Sequence, residues 1–148
     1  LASGARAAIL RTSWVFDGTG KNFVTTMRRL AESRTALTVV ADQIGGPTPA
    51  TAIAEACLTI LTSLREGNPG GIYHLSGSPD VSWADFARAI FAATGQGVTV
   101  TDIATRDYPT PARRPQNSRL DCGTLKTDFG IDRPDWCRAV IDIVKDNP

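Results

Sequence analysis

Motifs that usually mark a catalytic centre are missing from this 148-residue sequence. Gly18 and Gly20 are followed by no third glycine in G-x-G-x-x-G spacing, so the usual turn around a dinucleotide pyrophosphate is absent. Neither Tyr73 nor Tyr108 has a lysine four residues later, which excludes a Tyr-x-x-x-Lys proton-donor pair. The G-x-S-x-G, HExxH and P-loop motifs are absent as well. We therefore expect no catalytic residue in this stretch of polypeptide.

Cysteine, net charge and long apolar runs are scarce too. Cys57, Cys122 and Cys137 are odd in number and too widely spaced for a CxxC metal pair, so we expect reduced thiols in a cytoplasmic protein and no metal site. A formal net charge of +1 disfavours nucleic acid or an anionic membrane as a partner. No apolar run approaches the ~20 residues of a membrane span, and the opening residues, which lack an apolar core, do not predict a signal peptide.

Strands and helices alternate along the sequence, which predicts an α/β fold with largely parallel pairing. The opening strand has no turn or cap before it, and the chain starts at Leu1 in place of Met. We therefore expect the chain to begin inside a longer protein, as the last part of a sheet started upstream. The predicted strands are 7–16, 37–41, 71–75 and 98–103, and the predicted helices are 21–33, 50–66, 82–95 and 122–128, with a last one opening at Asp132 and Pro134.

The end of the first strand is one candidate site. Ligands of doubly wound sheets bind beyond the carboxyl ends of the strands, where Thr12, Ser13 and Trp14 would lie. Two interpretations of Trp14 remain open: a core aromatic, or a ring that packs against a ligand while Thr12 and Ser13 line the floor.

Two loops are further candidates. Gln43 and Thr48 lie in DQIGGPTPA, whose glycines and prolines fix a polar turn typical of binding loops, although Thr48 could equally cap the next helix. Arg113, Arg114 and Arg119 lie in ARRPQNSRLD, where three guanidinium groups within seven positions suit a diphosphate; the alternative is a set of solvent-exposed arginines.

Several segments together resemble the dTDP-4-dehydrorhamnose reductase family, a branch of the extended short-chain dehydrogenase/reductases. They occur in that family's order and spacing over nearly the whole chain: ILRTSWVF, KNFVTTMRRLA, VVADQIGGPT, GIYHLSG, SWADFARAI, RRPQNSRLD, FGI and PDW. The resemblance implies a C-terminal portion, residues 1–148, that supplies the last sheet strands and the smaller substrate-binding domain. An NADP-binding Rossmann domain with the glycine loop and the Tyr/Lys pair would precede it.

The family's activity, carried over as an expectation, is reduction of the C4 ketone of dTDP-4-dehydro-L-rhamnose by NADPH (or NADH), giving dTDP-L-rhamnose for cell-surface polysaccharide. By the same resemblance, Trp14 would contact the sugar, and Thr12 and Ser13 would lie near the nicotinamide. The residues expected to bind other parts of the dTDP-sugar are Gln43, Thr48, Arg113, Arg114, Asn117 and Arg119.

Some features of the family pattern are missing from this sequence. Pro49 to Ala52 carry no acid where some members place one at a metal-bridged dimer contact, which again predicts no metal. Without the glycine loop and Tyr/Lys pair, the isolated chain should neither turn over substrate nor bind the cofactor. Its exposed apolar surface would allow a homodimer.

Two functions other than that of a reductase remain open. The protein could be a non-catalytic NADP-binding regulatory subunit of the same fold, or another nucleotide-sugar epimerase or dehydratase.

Overall fold

A computed structural model describes residues 6–112 and 114–146. Eight strands and five α-helices alternate within this part of the chain, and a short 3-10 turn follows the last strand. The strands are β1 (Ala7–Thr12), β2 (Val15–Phe16), β3 (Ala36–Val40), β4 (Ile44–Gly45), β5 (Thr48–Pro49), β6 (Gly70–Leu75), β7 (Val81–Ser82) and β8 (Thr99–Ile103). The helices are α1 (Phe23–Ala31), α2 (Ala50–Arg65), α3 (Trp83–Thr94), α4 (Gly123–Phe129) and α5 (Trp136–Asp146).

Pairing is mostly parallel, as the alternation predicts. Among the described residues β1 pairs with β6, β2 with β5 and β3 with β8, all in parallel, while β4 and β7 are antiparallel. Parallel partners need long crossovers, which the intervening helices supply. The α/β expectation is therefore confirmed.

The single strand expected over residues 7–16 is wrong, because the chain breaks at Ser13 and Trp14. β1 pairs with β6, whereas β2 after the break pairs with β5. Trp14 has a φ of 50°, a left-handed conformation that bulky residues rarely adopt. The polar turn predicted for DQIGGPTPA also contains two short strands, β4 and β5, which the sequence did not predict. Each is only two residues long, too short to produce an alternating pattern in the sequence.

Two apolar clusters hold the elements together. The larger core joins α1, α3 and α5, with Phe86 fully buried at its centre against Phe16 (ring centroids 5.4 Å apart) and Trp136 (5.2 Å). The smaller core packs α2 and α4 on one face of the β1–β6 pair, around Leu75 and Leu125. Burial of these faces outweighs the weak intrinsic preference of such short helices.

The opposite face of the β1–β6 pair is open. Ile9 is 47% exposed and its register partner Ile72 is 45% exposed. Cys57 is also exposed, although it lies within α2, because this helix buries Ala56 and Ile60 instead. Apolar side chains left open on both a sheet face and a helix fit an element that packs against further polypeptide.

The helix ends confirm one prediction and correct another. The Ser82 hydroxyl accepts the Asp85 N–H at 3.0 Å, as expected for the α3 N-cap. Asp132, however, does not open the last helix. The Asp135 carboxylate accepts the N–H groups of Cys137 and Arg138 at 2.9 and 3.2 Å, because a cap must sit two or three residues before the donors it satisfies.

Gly77, directly after β6, has no space for a side chain. A Cβ there would overlap the carbonyl oxygen of Pro47, so we expect Gly77→Ala to lower the free energy of unfolding by about 1–3 kcal/mol. Gly97→Ala is the matched control, since a Cβ at Gly97 meets no atom within 4 Å, and its effect should stay within about 0.5 kcal/mol. Urea unfolding followed by tryptophan fluorescence measures both. Equal stabilities for the two variants would contradict the packing described.

Candidate functional site

A large open cavity lies beside the break in the first strand. Its volume is about 1010 Å³, at the upper end of the range usual for small-molecule sites. Helix α1, the paired strands β3 and β8, the start of α3 and the segment 108–118 surround it. The apolar lining includes Trp14, Phe23, Met27, Leu30, Leu37, Val39 and Trp83, and the polar lining includes Thr26, Arg34, Thr38, Gln43, Thr101, Tyr108, Thr110, Arg114 and Ser118.

Two indoles form one wall. The rings of Trp14 and Trp83 stack with centroids 3.6 Å apart and planes 10° from parallel. Gly45 of β4 lies directly against the Trp14 ring, because a Cβ added at Gly45 would be 2.8 Å from Cε2 of Trp14. Trp14 both packs against the larger core and lines the cavity. The two interpretations of Trp14 left open by the sequence are thus compatible.

Thr48 is fully buried and holds the break in place. Its hydroxyl donates to the carbonyl of Ser13 at 2.7 Å, and its N–H donates to the carbonyl of Trp14 at 3.1 Å. Thr48 does not cap α2, whose N-cap is Pro49 with no side-chain hydrogen bond. Its hydroxyl therefore already has a structural task, and its predicted role in substrate binding stays a prediction.

Thr12 and Ser13 lie where the strand topology predicts, at the carboxyl end of β1. Thr12 is exposed there, whereas the Ser13 hydroxyl donates to the carbonyl of Gly46 at 3.3 Å. Neither lines the cavity. An exposed threonine at this edge fits contact with a ligand that reaches over the sheet, so their role near the nicotinamide stays a prediction.

The segment 104–118, called the rim loop below, is fastened at its first end to Asp42. The Asp42 carboxylate accepts from the Thr105 hydroxyl at 2.6 Å and the Thr105 N–H at 2.9 Å. The Gln43 amide donates to the Thr105 hydroxyl at 3.1 Å. The hydrogen bond from the Thr105 hydroxyl lowers the pKa of the Asp42 carboxyl from its ordinary value. The hydrogen bond from Thr105 therefore favours the charged form of the Asp42 carboxyl.

The second end of the rim loop is fastened to Ile44. The Ile44 N–H donates to the carbonyl of Gln116 at 2.8 Å, and the Ser118 N–H returns to the carbonyl of Ile44 at 2.9 Å. Between these two anchors, Tyr108, Thr110 and Arg114 face the cavity. Both anchors are on the DQIGGPT turn, so this turn sets the position of the rim loop.

Two guanidinium groups border the cavity from opposite elements. Arg114 is on the rim loop, and Arg34 is on the connection between α1 and β3; both are exposed. Neither has an ion-pair or hydrogen-bond partner among the described residues. Their unused donors suit an anionic ligand. Arg34 was missed by the sequence analysis, since an arginine just past an amphipathic helix looks like an ordinary solvated residue.

Other predicted binding residues lie off the cavity. The Arg119 guanidinium contacts Asp80, with Nε and Oδ2 3.6 Å apart, and the Asn117 side-chain oxygen accepts the Arg119 N–H at 3.1 Å. Arg113 falls outside the described residues. Three of the predicted substrate-binding residues line the cavity together: Trp14, Gln43 and Arg114. The roles of the remaining members stay predictions.

Within residues 6–112 and 114–146 no three histidine, cysteine or acidic side chains are grouped so as to hold a metal ion. Of the helices in these ranges, none combines the length and hydropathy of a membrane-crossing segment.

Parallel strand pairs connected by helices, together with the open cavity, define the class: this is a mixed α/β fold with a site of small-molecule size. The family profile described as the RmlD substrate binding domain matches residues 1–147. The chain belongs to this family, which confirms the resemblance noted from the sequence segments.

The relatives agree with this assignment. A dTDP-4-dehydrorhamnose reductase of Sinorhizobium fredii is 50% identical over 135 residues, covering 86% of this chain and 46% of the relative. The solved reductase of Clostridium acetobutylicum superposes with a TM-score of 0.86 at 34% identity, over 93% of this chain and 48% of that one. The solved reductase of Bacillus anthracis in complex with NADP superposes with a TM-score of 0.83 at 32% identity, over 94% of this chain and 48% of that one. The chain spans about half the length of the relatives it matches.

The anchor at Asp42 can be tested without any ligand. Removing its carboxylate in Asp42→Ala should release the first end of the rim loop, so trypsin should cleave after Arg106 severalfold faster. Glu55→Ala is the matched control, because Glu55 is an exposed carboxylate on α2, outside the rim loop. Equal cleavage rates in the two variants would show that Asp42 is no anchor.

The pH dependence of the anchor has a definite sign. A carboxyl whose pKa is lowered on folding contributes stability above its unfolded pKa of about 3.9 and loses it as the pH falls through the folded value. Rim-loop protection should therefore be complete at neutral pH and disappear only in acid. Thr105→Val should move the pKa of Asp42 upward in an NMR titration; an unchanged pKa would contradict the assigned cause.

Proposed function

We propose that this chain is the C-terminal, substrate-binding portion of an NADPH-dependent dTDP-4-dehydrorhamnose reductase. The whole enzyme would reduce the C4 ketone of dTDP-4-dehydro-L-rhamnose to dTDP-L-rhamnose in the cytoplasm, for cell-surface polysaccharide. Its N-terminal portion would carry the glycine loop and the Tyr/Lys pair. Family membership and coverage of about half of each reductase support this division.

The cavity lining is the observation that carries the proposal. Its aromatic and aliphatic side chains offer packing surface to a base and a sugar, while Arg34 and Arg114 offer forked donors to a diphosphate. A net charge of +1 provides no general attraction for such an anion, so these two placed cations matter.

The proposed task of the chain is to hold the ketone in place. Hydride transfer requires donor and acceptor about 3–3.5 Å apart, and binding energy from remote parts of a substrate can enforce that distance. NADPH, when bound, supplies the hydride. Trp14 and Gln43 would border the sugar, Arg34 and Arg114 would grip the diphosphate, and Thr12 would face the nicotinamide from the carboxyl end of β1.

The cofactor fits this chain only in part. The exposed edge at Thr12 can meet a nicotinamide, but residues 6–112 and 114–146 hold no glycine turn for a pyrophosphate. NADP is present in the Bacillus anthracis reductase structure, a chain about twice as long as the part matched here. We therefore assign most of the cofactor site to the N-terminal portion.

The test of function compares the full-length protein with the isolated chain. The full-length protein should oxidise NADPH when given dTDP-4-dehydro-L-rhamnose, and the isolated chain should not, because it lacks a proton donor. A full-length protein that binds NADPH without turnover would instead support a regulatory subunit. Interconversion of C4 epimers of a nucleotide sugar, without net NADPH oxidation, would support an epimerase.

Arg114 provides a residue-level test. In the full-length protein we expect Arg114→Ala to raise the KM for the nucleotide sugar about tenfold or more, the effect of losing a hydrogen bond between charged groups. The KM for NADPH should stay the same. Arg106→Ala is the matched control on the same loop, because Arg106 is 88% exposed and off the cavity. Unchanged sugar kinetics in Arg114→Ala would remove Arg114 from the site.

A further inference from the structure

We propose that Trp83 is a positioning residue, which acts on the substrate by fixing the orientation of the Trp14 indole. Trp83 is the first residue of α3, and its regular spacing with Phe86 and Ile90 marks it as part of the core. The inference rests on the proposed function, because it takes Trp14 as a contact of the sugar.

Trp14 needs external support. Its positive φ of 50° is an unfavourable backbone conformation for a residue with a large side chain. Thr48 holds the backbone at this point through the carbonyls of Ser13 and Trp14. Those bonds leave the side-chain torsions of Trp14 unconstrained, so something else must fix the ring.

Trp83 supplies that constraint. The two rings are nearly parallel at a centroid distance of 3.6 Å, while Gly45 limits Trp14 from β4. Trp83 itself packs against two further rings, those of Phe23, at a centroid distance of 4.6 Å, and Phe86, at 6.3 Å. The ring of Trp14 is therefore attached through Trp83 to the larger core.

Removing Trp83 should loosen the ring without removing it. A substrate that is held 1 Å out of place can react on the order of 100-fold more slowly. We expect Trp83→Ala in the full-length protein to lower kcat/KM for the nucleotide sugar roughly 10- to 100-fold, with NADPH binding unchanged. Trp83→Phe keeps an aromatic surface and should recover part of the loss.

A spectroscopic measurement tests the stack without substrate. Two closely stacked indoles couple excitonically and give a paired positive and negative band in circular dichroism. Trp14→Phe and Trp83→Phe should each abolish that couplet in the full-length protein. Trp136→Phe is the matched control, since Trp136 is buried in the same core and forms no stack with either indole. A couplet that survives Trp83→Phe would overturn the proposal.

A double-mutant cycle tests whether Trp83 acts through Trp14. If it does, Trp83→Ala should cost nothing further once Trp14→Ala is present. Losses that multiply, or an unaffected kcat/KM in Trp83→Phe and Trp83→Ala, would overturn the inference while wild-type activity still supported the proposed function. An inactive wild type would defeat the proposed function and this inference with it. Retained NADPH binding in each variant identifies the folded protein.

Discussion

One buried threonine fixes the geometry on which the cavity depends. Thr48 satisfies the carbonyls of Ser13 and Trp14, the two residues at which the first strand breaks. Buried carbonyls without partners are costly, and a break inside a sheet creates such carbonyls. By filling this need, Thr48 allows the chain to leave the β1–β6 pair, turn Trp14 toward the cavity, and continue as β2 beside β5.

The DQIGGPT turn connects several of the elements around the cavity through close contacts. β4 pairs with β7 at the start of α3, and Asp42 and Ile44 fasten the two ends of the rim loop. Pro47 lies against Gly77 at the end of β6 with no space between them. Glycines in this turn serve close approach, since a Cβ at Gly45 would meet the Trp14 ring. The turn therefore contacts elements of both cores and the rim loop.

The sequence was sufficient for the helices, for the longer strands and for part of the site. Hydrophobic spacing located all five helices, and strand topology placed Thr12 and Ser13 at the correct edge. The break at Trp14 could not be predicted, because no glycine or proline marks it and its cause is Thr48, distant in sequence. Helical spacing groups Trp83 with the core residues Phe86 and Ile90, and it cannot show that a ring packed on the core also borders a cavity. Arg119 looked free in the sequence and contacts Asp80 in the fold.

The rim loop and the indole wall are attached to the rest of the fold to different degrees, and this difference affects how substrate preference can evolve. Tyr108, Thr110 and Arg114 are exposed and lie between the two ends at which the described residues of the rim loop are fastened, so exchanging them disturbs no core packing. The indole wall is different, because any replacement there must fit the glycine, threonine and aromatic neighbours at once. New sugar or base preferences should therefore accumulate along the rim loop, while the indole wall stays fixed among descendants that still bind a related ligand.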